Sequence, residues 1–383
     1  MSEPGAPGQA LARAHPARAL PAFLAAFGPL VFPLFRAALA RKRILLVGPA
    51  PVAGACSFVY LVSVLANVPQ AAAALAAAPP ARLRPLFSIG VHDIARLPAA
   101  GWVACTTDEI LAEKTALWDV VVRLPAAPRA WPAVRASSGA PIRATQRDLR
   151  RFRALARSLA LRYRPRADGD SSEDDDDGAA PGAPRSIEDV CEKLAWREIA
   201  YSSFMWWASA GEQQRSDAEA DDGRLLLDTH FVHTPTAQDY SFHDDGDDDA
   251  TTSSASPGDA ARRRSSRRRS ALRRQSTNLA SEGVGCEEMD VIAYFHRMAQ
   301  TIFTVLGENA AAAEARAADD DDEAAALVAA ARPVEVSIAD MERMGLDRYS
   351  EVDVVAVREI VGRWWGREAE VERWRISCCG IEC

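Results

Sequence analysis

The stretch that decides the fold begins RKRILLVG (41–48) and ends WDVVVRL (118–124). Within it, Ile44 to Val47 form a short apolar run between a basic triplet and Gly48-Pro49, which is typical of a strand buried on both faces. The apolar segment 52–68 is too long for a strand, so we interpret it as a buried helix.

Three more strands are predicted, at RPLFSIGV (84–91), GWVAC (101–105) and WDVVVRL (118–124). Thr106 and Glu109 have the spacing of a capping box, which predicts a helix over 107–116. Strands that alternate with helices favour a mostly parallel sheet covered by helices. We therefore expect a central α/β module at residues 41–165.

Four segments of this 383-residue chain are too polar, too charged or too rich in small residues to pack, at 1–18, 166–185, 212–285 and 309–331. We predict that they are disordered. They also explain the net charge of −8: acidic tracts at 168–177, 239–249 and 319–323 hold 18 of the 53 carboxylates, and the basic arm 262–274 holds eight of the 45 Lys and Arg residues. The remaining 35 acidic and 37 basic residues nearly balance, so net charge says little about partners.

The rest of the chain is predicted to form an all-α module from the segments 186–211, 286–308 and 332–383. Ser186 with Asp189, and Ser337 with Asp340, have cap spacings, and Ser350 is expected to start the last helix. Apolar residues recur at helical spacing in the second and third segments: Val291, Phe295, Met298, Ile302, Val305, Val354, Val357, Val361 and Trp364. Trp374, Ile376 and Cys378 alternate as a terminal strand.

Two segments could meet a membrane. The apolar segment 19–35 contains 17 uncharged residues and three prolines, which is short for a span. We interpret 19–40 as an amphipathic helix that packs on the α/β unit; a signal peptide and a mitochondrial presequence are the less favoured alternatives. Leu149 to Tyr163 is predicted as an amphipathic helix with a basic face, either solvated or facing a membrane or an acidic partner.

The basic arm carries serines placed after basic residues, as basophilic kinases require. Phosphates there would offset the positive charge and could switch binding to anionic lipid. The alternatives are a nuclear-localisation or nucleic-acid patch and a solvated tract that pairs with the neighbouring acids. The candidate phosphorylation sites are Ser265, Ser270 and Ser276, and the candidate contacts with membrane or acidic partner are Arg262, Arg263, Arg264, Arg267, Arg268 and Arg269.

No catalytic signature is found, and we predict no catalytic residue, metal or cofactor. GPAPVAGAC (48–56) lies where a phosphate loop would sit but lacks the Lys and Ser/Thr of that loop. His230, His233 and His243 offer only a weak metal motif inside an insertion. Seven cysteines without regular spacing indicate reduced thiols in a cytosolic setting.

Several blocks carry a family resemblance. FGPLVFPLFRAALARKRILLVGPAPVAGAC (27–56), RPLFSIGVHDI, GWVACTTDEIL and WDVVVRLP resemble the fungal LCHN-like proteins of the DENN-domain superfamily, which includes the Avl-type late-secretory proteins. WREIAYSSFMWWASAGE, VIAYFHRM, MERMGLD and WWGREAEVERWRISCCGIEC resemble the C-terminal region of that family. The resemblance covers most of the segments predicted to be ordered.

The resemblance implies a regulator of membrane trafficking, either a guanine-nucleotide exchange factor for a Rab GTPase or a non-catalytic scaffold that binds a GTPase or membrane. It implies a cytoplasmic protein, peripheral on Golgi, endosome or secretory-vesicle membranes, with no transmembrane segment and no specific nucleic-acid partner. The resemblance implies the three parts of a DENN module: an N-terminal longin-type part, a central α/β part and a C-terminal helical part. Here the N-terminal part is expected to be missing apart from its last helix at 19–40. Partner contacts are expected at predicted strand ends, where α/β sites form, at Gly48, Pro49, Gly54, His92 and Asp93. A structural turn is the alternative for the last two.

Overall fold

A computed structural model of the protein describes residues 15–77, 79–126, 130–162, 187–192, 286–318, 332–372, 377–378 and 381–382. Its central sheet has five strands in the order β2-β3-β1-β4-β5. The strands β1 to β4 are parallel, and β5 is antiparallel to β4. The predicted mostly parallel sheet is therefore confirmed, with one strand that was not predicted. The strands are β1 (Ile44–Val47), β2 (Arg84–Ser88), β3 (Trp102–Thr106), β4 (Val120–Arg123) and β5 (Ala133–Ala136).

Both faces of this sheet are covered, as the unbroken apolar run of β1 predicts. Ile44 and Leu46 enter the large core, whereas Leu45 and Val47 enter a smaller core on the other face. This follows from the alternation of side chains along a strand. The helices of this half are α1 (Leu20–Phe27), α2 (Val31–Leu39), α3 (Ala53–Leu65), α4 (Gln70–Ala73), α5 (Glu109–Glu113) and α6 (Gln146–Arg162).

The helix after β3 differs from its prediction. It starts at Glu109 because the side chain of Asp108 accepts a hydrogen bond from the N–H of Ile110 (3.0 Å) and so caps it. Thr106 instead ends β3, and its hydroxyl accepts from the N–H of Asp108 (3.0 Å). The predicted pairing of Thr106 with Glu109 as a capping box was therefore wrong, and the helix is five residues long.

The N-terminal apolar segment is a core element. A 3-10 helix at Pro16–Ala19 leads into α1, so the last residues of the segment 1–18 that we predicted to be disordered are folded. Every residue of α2 is buried. The helical stretch Pro16–Leu39 is long and apolar enough to cross a membrane, but 78% of its apolar window is buried inside the protein. The predicted packing of this segment on the α/β unit is confirmed. The prediction of a single amphipathic helix was wrong, because the 3-10 turn Gly28–Leu30 separates α1 from α2 and α2 is buried on all sides.

The second half is helical, with α7 (Cys286–Ala318), α8 (Ile338–Arg343) and α9 (Glu351–Trp365). All nine residues of the two predicted apolar stripes are buried. The capping box of Ser337 and Asp340 is present: the Asp340 N–H donates to the Ser337 hydroxyl (3.1 Å), and the Ser337 N–H donates to the Asp340 carboxylate (3.0 Å).

This half is not all-α, contrary to the prediction. Two short parallel strands pair at Val334–Val336 (β6) and Ala369–Val371 (β7). Two more strands pair in antiparallel fashion, at Ser377–Cys378 (β8) and Ile381–Glu382 (β9). Of the predicted terminal strand, Cys378 lies in β8, while Trp374 and Ile376 lie outside the described residues. The apolar alternation in these pieces is too short to distinguish them from loops.

Two predicted boundaries were also wrong. Helix α7 continues through residues 309–318, which the sequence predicts to lie in a disordered insertion, and Ala310 and Ala313 are buried there. After Ser186, Ile187–Val190 form a 3-10 helix and Cys191 pairs with Ala144, in place of the start of an α-helix. The predicted insertions at 166–185 and 212–285, residues 193–211 of the predicted helical module and residues 319–331 of the third insertion lie outside the described residues.

The two halves share one hydrophobic core. Phe32 and Phe35 of α2 contact Phe295 of α7, with ring centroids 5.6 and 5.1 Å apart. The indole N–H of Trp364 in α9 donates to the carbonyl of Leu39 (2.8 Å). Helix α2 is therefore one of the elements through which the sheet and the C-terminal helices are joined.

A buried ionic cluster lies at the same junction. The Arg36 guanidinium donates to both oxygens of Asp148 on α6 (2.8 and 2.7 Å). Its Nε also lies 3.0 Å from Asp353 Oδ1 on α9, as an ionic contact that is not aligned as a hydrogen bond. All three side chains are at most 3% exposed. The cluster therefore links α2, α6 and α9, which come from three separate parts of the chain.

Candidate functional site

The candidate site is the edge of the sheet at which the parallel strands β1 to β4 end. Gly48 lies at that edge directly after β1. Its N–H donates to the carbonyl of Thr106 in β3 (3.1 Å), and on the other side of β1 the Leu124 N–H after β4 donates to the Val47 carbonyl (2.7 Å). A Cβ on Gly48 would lie 3.1 Å from atoms of the Leu124 side chain. Gly48 therefore serves close packing, whereas Pro49 beside it is exposed.

Gly54 occupies a different environment in the first turn of α3. It is exposed, and a Cβ placed on it would meet no atom of the described residues within 4 Å. Of the predicted residues in this loop, Pro49 and Gly54 are thus accessible to a partner, and Gly48 is mainly part of the scaffold.

His92 and Asp93 lie in a 3-10 helix (Val91–Arg96) that follows β2. The carboxylate of Asp93 accepts a hydrogen bond from the N–H of Gly90 (2.9 Å), so it caps its own turn. His92 is exposed. Asp93 therefore has a structural role in this turn, whereas His92 is accessible to a partner.

The loop after β1 and the turn after β2 are not direct neighbours, because β3 lies between their strands. The segment after β3, residues 107–113, therefore occupies the middle of the edge. Arg123 at the end of β4 pairs with two of its carboxylates, Glu109 and Glu113 (2.8 Å to the latter). Sequence reasoning missed this segment as part of the site, since strand order cannot be read from hydrophobic pattern alone.

Exposed apolar side chains collect along this edge. Phe87 at the end of β2 is 43% exposed, Val91 just after β2 is 38% exposed, and Ile110 in α5 is 58% exposed. Phe87 has a φ of 55°, in the left-handed region that is unfavourable for a bulky residue, at a register shift in β2. We refer to Phe87, Val91 and Ile110 below as the apolar edge.

Two thiols lie just beneath the edge. Cys56 in the first turn of α3 and Cys105 near the end of β3 have their Sγ atoms 3.6 Å apart. Burial, and then the neighbouring Cys56, raise the pKa of the Cys105 thiol to about 12. The Cys105 thiol is therefore protonated at neutral pH.

The predicted basic arm, its three serines and the histidine motif lie outside the described residues. The basic helix is confirmed as α6, on which Leu149 and Leu155 are buried and Arg150, Arg153 and Arg157 are exposed. Within the described ranges, no group of three or more His, Cys, Asp or Glu side chains could hold a metal ion.

Comparison with known families divides the chain into two matched parts. Residues 2–130 match the family described as DENN domain-containing protein 11. Residues 191–383, just over half of the chain, match the family described as domain of unknown function DUF4484. The first match contains β1 to β4 and the whole of the candidate site, and the second contains α7 to α9.

Individual relatives match over shorter lengths. DENN domain-containing protein 11 of Xenopus laevis is 42% identical over 109 residues, which cover 28% of this chain and 24% of the relative. The Danio rerio protein of the same name is 35% identical over 166 residues, 43% of this chain and 32% of the relative. Uncharacterized protein ANR2 of Saccharomyces cerevisiae is 27% identical over 211 residues, 52% of this chain and 38% of the relative.

The matched stretches thus span between about a quarter and two fifths of these relatives. No solved structure matches the chain. The two family matches and the relatives agree with the resemblance of the strand and helix blocks. This chain belongs to the DENN-domain superfamily and, through its second half, to the DUF4484 family.

Proposed function

We propose that the protein is a DENN-type regulator of membrane trafficking that binds a Rab-family GTPase at the carboxyl edge of its sheet and promotes release of the bound guanine nucleotide. Membership of the superfamily supports the kind of partner. The observation that carries the choice of surface is the apolar edge, where apolar side chains are exposed on β2, on the turn that follows it and on α5.

The geometry of the edge suits a protein partner. Exposed Phe, Val and Ile side chains can supply the apolar centre of an interface, and the ion pairs of Arg123 with Glu109 and Glu113 supply a polar rim. Strands β1 and β3 behind them are buried along their whole length, so the surface rests on a rigid support and loses little entropy on binding. A partner therefore meets a preformed patch.

Nucleotide exchange needs no covalent chemistry from this surface. A protein that binds the nucleotide-free GTPase more tightly than the GDP-bound form shifts the population towards the free form and speeds release. The protein would act from the cytoplasm, at the surface of Golgi, endosomal or secretory-vesicle membranes.

The test is release of a fluorescent GDP analogue from a panel of Rab GTPases, with and without the full chain. We expect faster release from at least one of them, and we expect Ile110→Asp to abolish the acceleration because a carboxylate would be desolvated in the interface. Met289→Asp is the matched control, since Met289 is similarly exposed (54%) but lies on α7. Binding without faster release would identify a scaffold, and no binding to any Rab would refute the proposal.

A further inference from the structure

Cys56 and Cys105 form a pair that the proposed function does not use. They are separated by 49 residues in sequence, yet α3 packs on β3 so that their Sγ atoms lie 3.6 Å apart. Cys105 is fully buried, and Cys56 is partly exposed. Both are free thiols in the structure.

The separation is short enough for a covalent bond after a small movement. A disulfide has an S–S length of about 2.0 Å, so the sulfurs must approach by roughly 1.5 Å. The first turn of α3 can accommodate this, because Ala53 and Gly54 in it and Pro51 just before it are exposed, and among the described residues no atom lies within 4 Å of a Cβ on Gly54. Cys105 is fixed by the pairing of β3 with β1, so Cys56 is the residue that must move.

We propose that Cys56 and Cys105 are a reversible modification site, oxidised to an intramolecular disulfide by hydroperoxides and reduced again by small thiols such as glutathione. The partly exposed Cys56 reacts first. Its thiolate attacks one oxygen of the peroxide, the S–O bond forms as the O–O bond breaks, and the leaving oxygen takes a proton to give water or an alcohol.

The second step joins the two sulfurs. Cys105 Sγ attacks Cys56 Sγ, the S–S bond forms as the S–O bond breaks, and the oxygen leaves as water with the proton of the Cys105 thiol. The two sulfurs together supply the two electrons that reduce the peroxide. Because burial keeps Cys105 protonated at neutral pH, this second step should be slow and should become faster as the pH rises.

The bond would have a local consequence at the candidate site. It would join the first turn of α3 to the end of β3, and the loop 48–52 connects that turn to β1. Oxidation would thus fix the position of a loop at the sheet edge, whether or not a GTPase binds there.

The experiment is peptide mapping of the full chain after treatment with hydrogen peroxide, alkylation of free thiols and digestion with trypsin. Cys56 and Cys105 fall in separate tryptic peptides, 44–82 and 97–114, and each peptide contains no other cysteine. We expect these peptides to be recovered joined, with loss of alkylated Cys56 and Cys105, and to separate again after treatment with glutathione. Recovery of both peptides singly, or joined only after the chain has been unfolded, would overturn the proposal.

Single variants separate the two steps. In Cys105→Ser we expect Cys56 to accumulate as a sulfenic acid that dimedone traps, whereas in Cys56→Ser we expect Cys105 to remain reduced. Cys191→Ser is the control and should leave the joined peptide unchanged, because Cys191 lies in a different core cluster. Each variant is first compared with the natural chain by circular dichroism, and Cys56→Ser alters only a partly exposed side chain. Oxidation of Cys105 in the Cys56→Ser variant would contradict the assigned order.

Discussion

At the residue scale, the buried cation Arg36 is the most consequential side chain in the described structure. Burial alone would lower its pKa, but Asp148 and Asp353 outweigh that effect and raise the pKa above its ordinary value. Arg36 is therefore charged, and its charge compensates carboxylates that come from two distant helices.

Removing this cation should destabilise the folded state. In Arg36→Met the carboxylates of Asp148 and Asp353 would be left buried without compensation, and we expect a loss of about 3–5 kcal/mol in the free energy of unfolding. The control is Lys42→Met, which breaks a half-exposed pair with Glu359 (2.7 Å) and should cost less than about 1 kcal/mol. Urea unfolding measures both, and equal losses would contradict the role given to the cluster.

The pH dependence of stability follows from Asp353. Burial raises its pKa to about 7 despite the opposing charge of Arg36, and Asp148 and Asp347 add to the increase. The folded state therefore binds a proton that the unfolded state has released between pH 4 and pH 7, so stability falls as pH rises through this window. The groups that face Asp353 are Arg36, Asp148 and Asp347, with Glu192 near Arg36 and Asp148.

Asp353→Asn keeps the shape of the side chain and removes its titration. We expect the free energy of unfolding of the natural chain to decline relative to this variant as pH increases from about 4 to about 7. Parallel curves for the two proteins over that range would show that Asp353 does not titrate there.

At the scale of elements, the predictions that succeeded rest on local signals. The apolar runs of β1 and β4 and the capping box of Ser337 with Asp340 are each contained in a few residues. The failures depend on competition or on distance. Asp108 caps the helix in place of Thr106. Strands β5, β6 and β7 are only three or four residues long, too short to show an apolar pattern, and β6 pairs with a strand remote in sequence. Residues 309–331 are predicted to be disordered, but the first ten of them are rich in alanine, which has a high helix propensity.

Two glycines of the same loop should respond differently to substitution. Gly48→Ala would press against Leu124 at 3.1 Å and should destabilise the sheet edge by about 1–3 kcal/mol. Gly54→Ala meets open space in the first turn of α3 and should be neutral or stabilising by up to about 1 kcal/mol, because alanine favours the helix. Thermal unfolding of both variants checks this contrast, and a reversed order would show that the packing at Gly48 is not limiting.

At the scale of the whole molecule, the two segments matched by different families are parts of one packed core. The aromatic contacts of α2 with Phe295 and the bond from Trp364 to Leu39 cross between them. Sequence reasoning placed the ends of β1, β3 and β4 to within one residue, but it extended β2 to Val91 although the strand ends at Ser88. It also could not show that residues 107–113 lie between the loops after β1 and β2. That depended on the order β2-β3-β1, which is a property of the assembled sheet.

A shared core predicts cooperative unfolding. The described helices and the sheet should melt in one transition, since separating them would expose Phe32, Phe35 and Phe295 to water. Calorimetry and far-ultraviolet circular dichroism should give the same midpoint. Two resolved transitions would indicate that the halves are stable separately.

The central claim is that the apolar edge holds a GTPase and prefers its nucleotide-free form. The most direct test is the affinity of the full chain for one Rab in its nucleotide-free and GDP-bound forms, measured with the natural chain, Ile110→Asp and Met289→Asp. We predict tighter binding of the nucleotide-free form and a loss of about 1–3 kcal/mol in Ile110→Asp alone. Equal affinity for the two forms, or binding that Ile110→Asp leaves unchanged, would contradict the account.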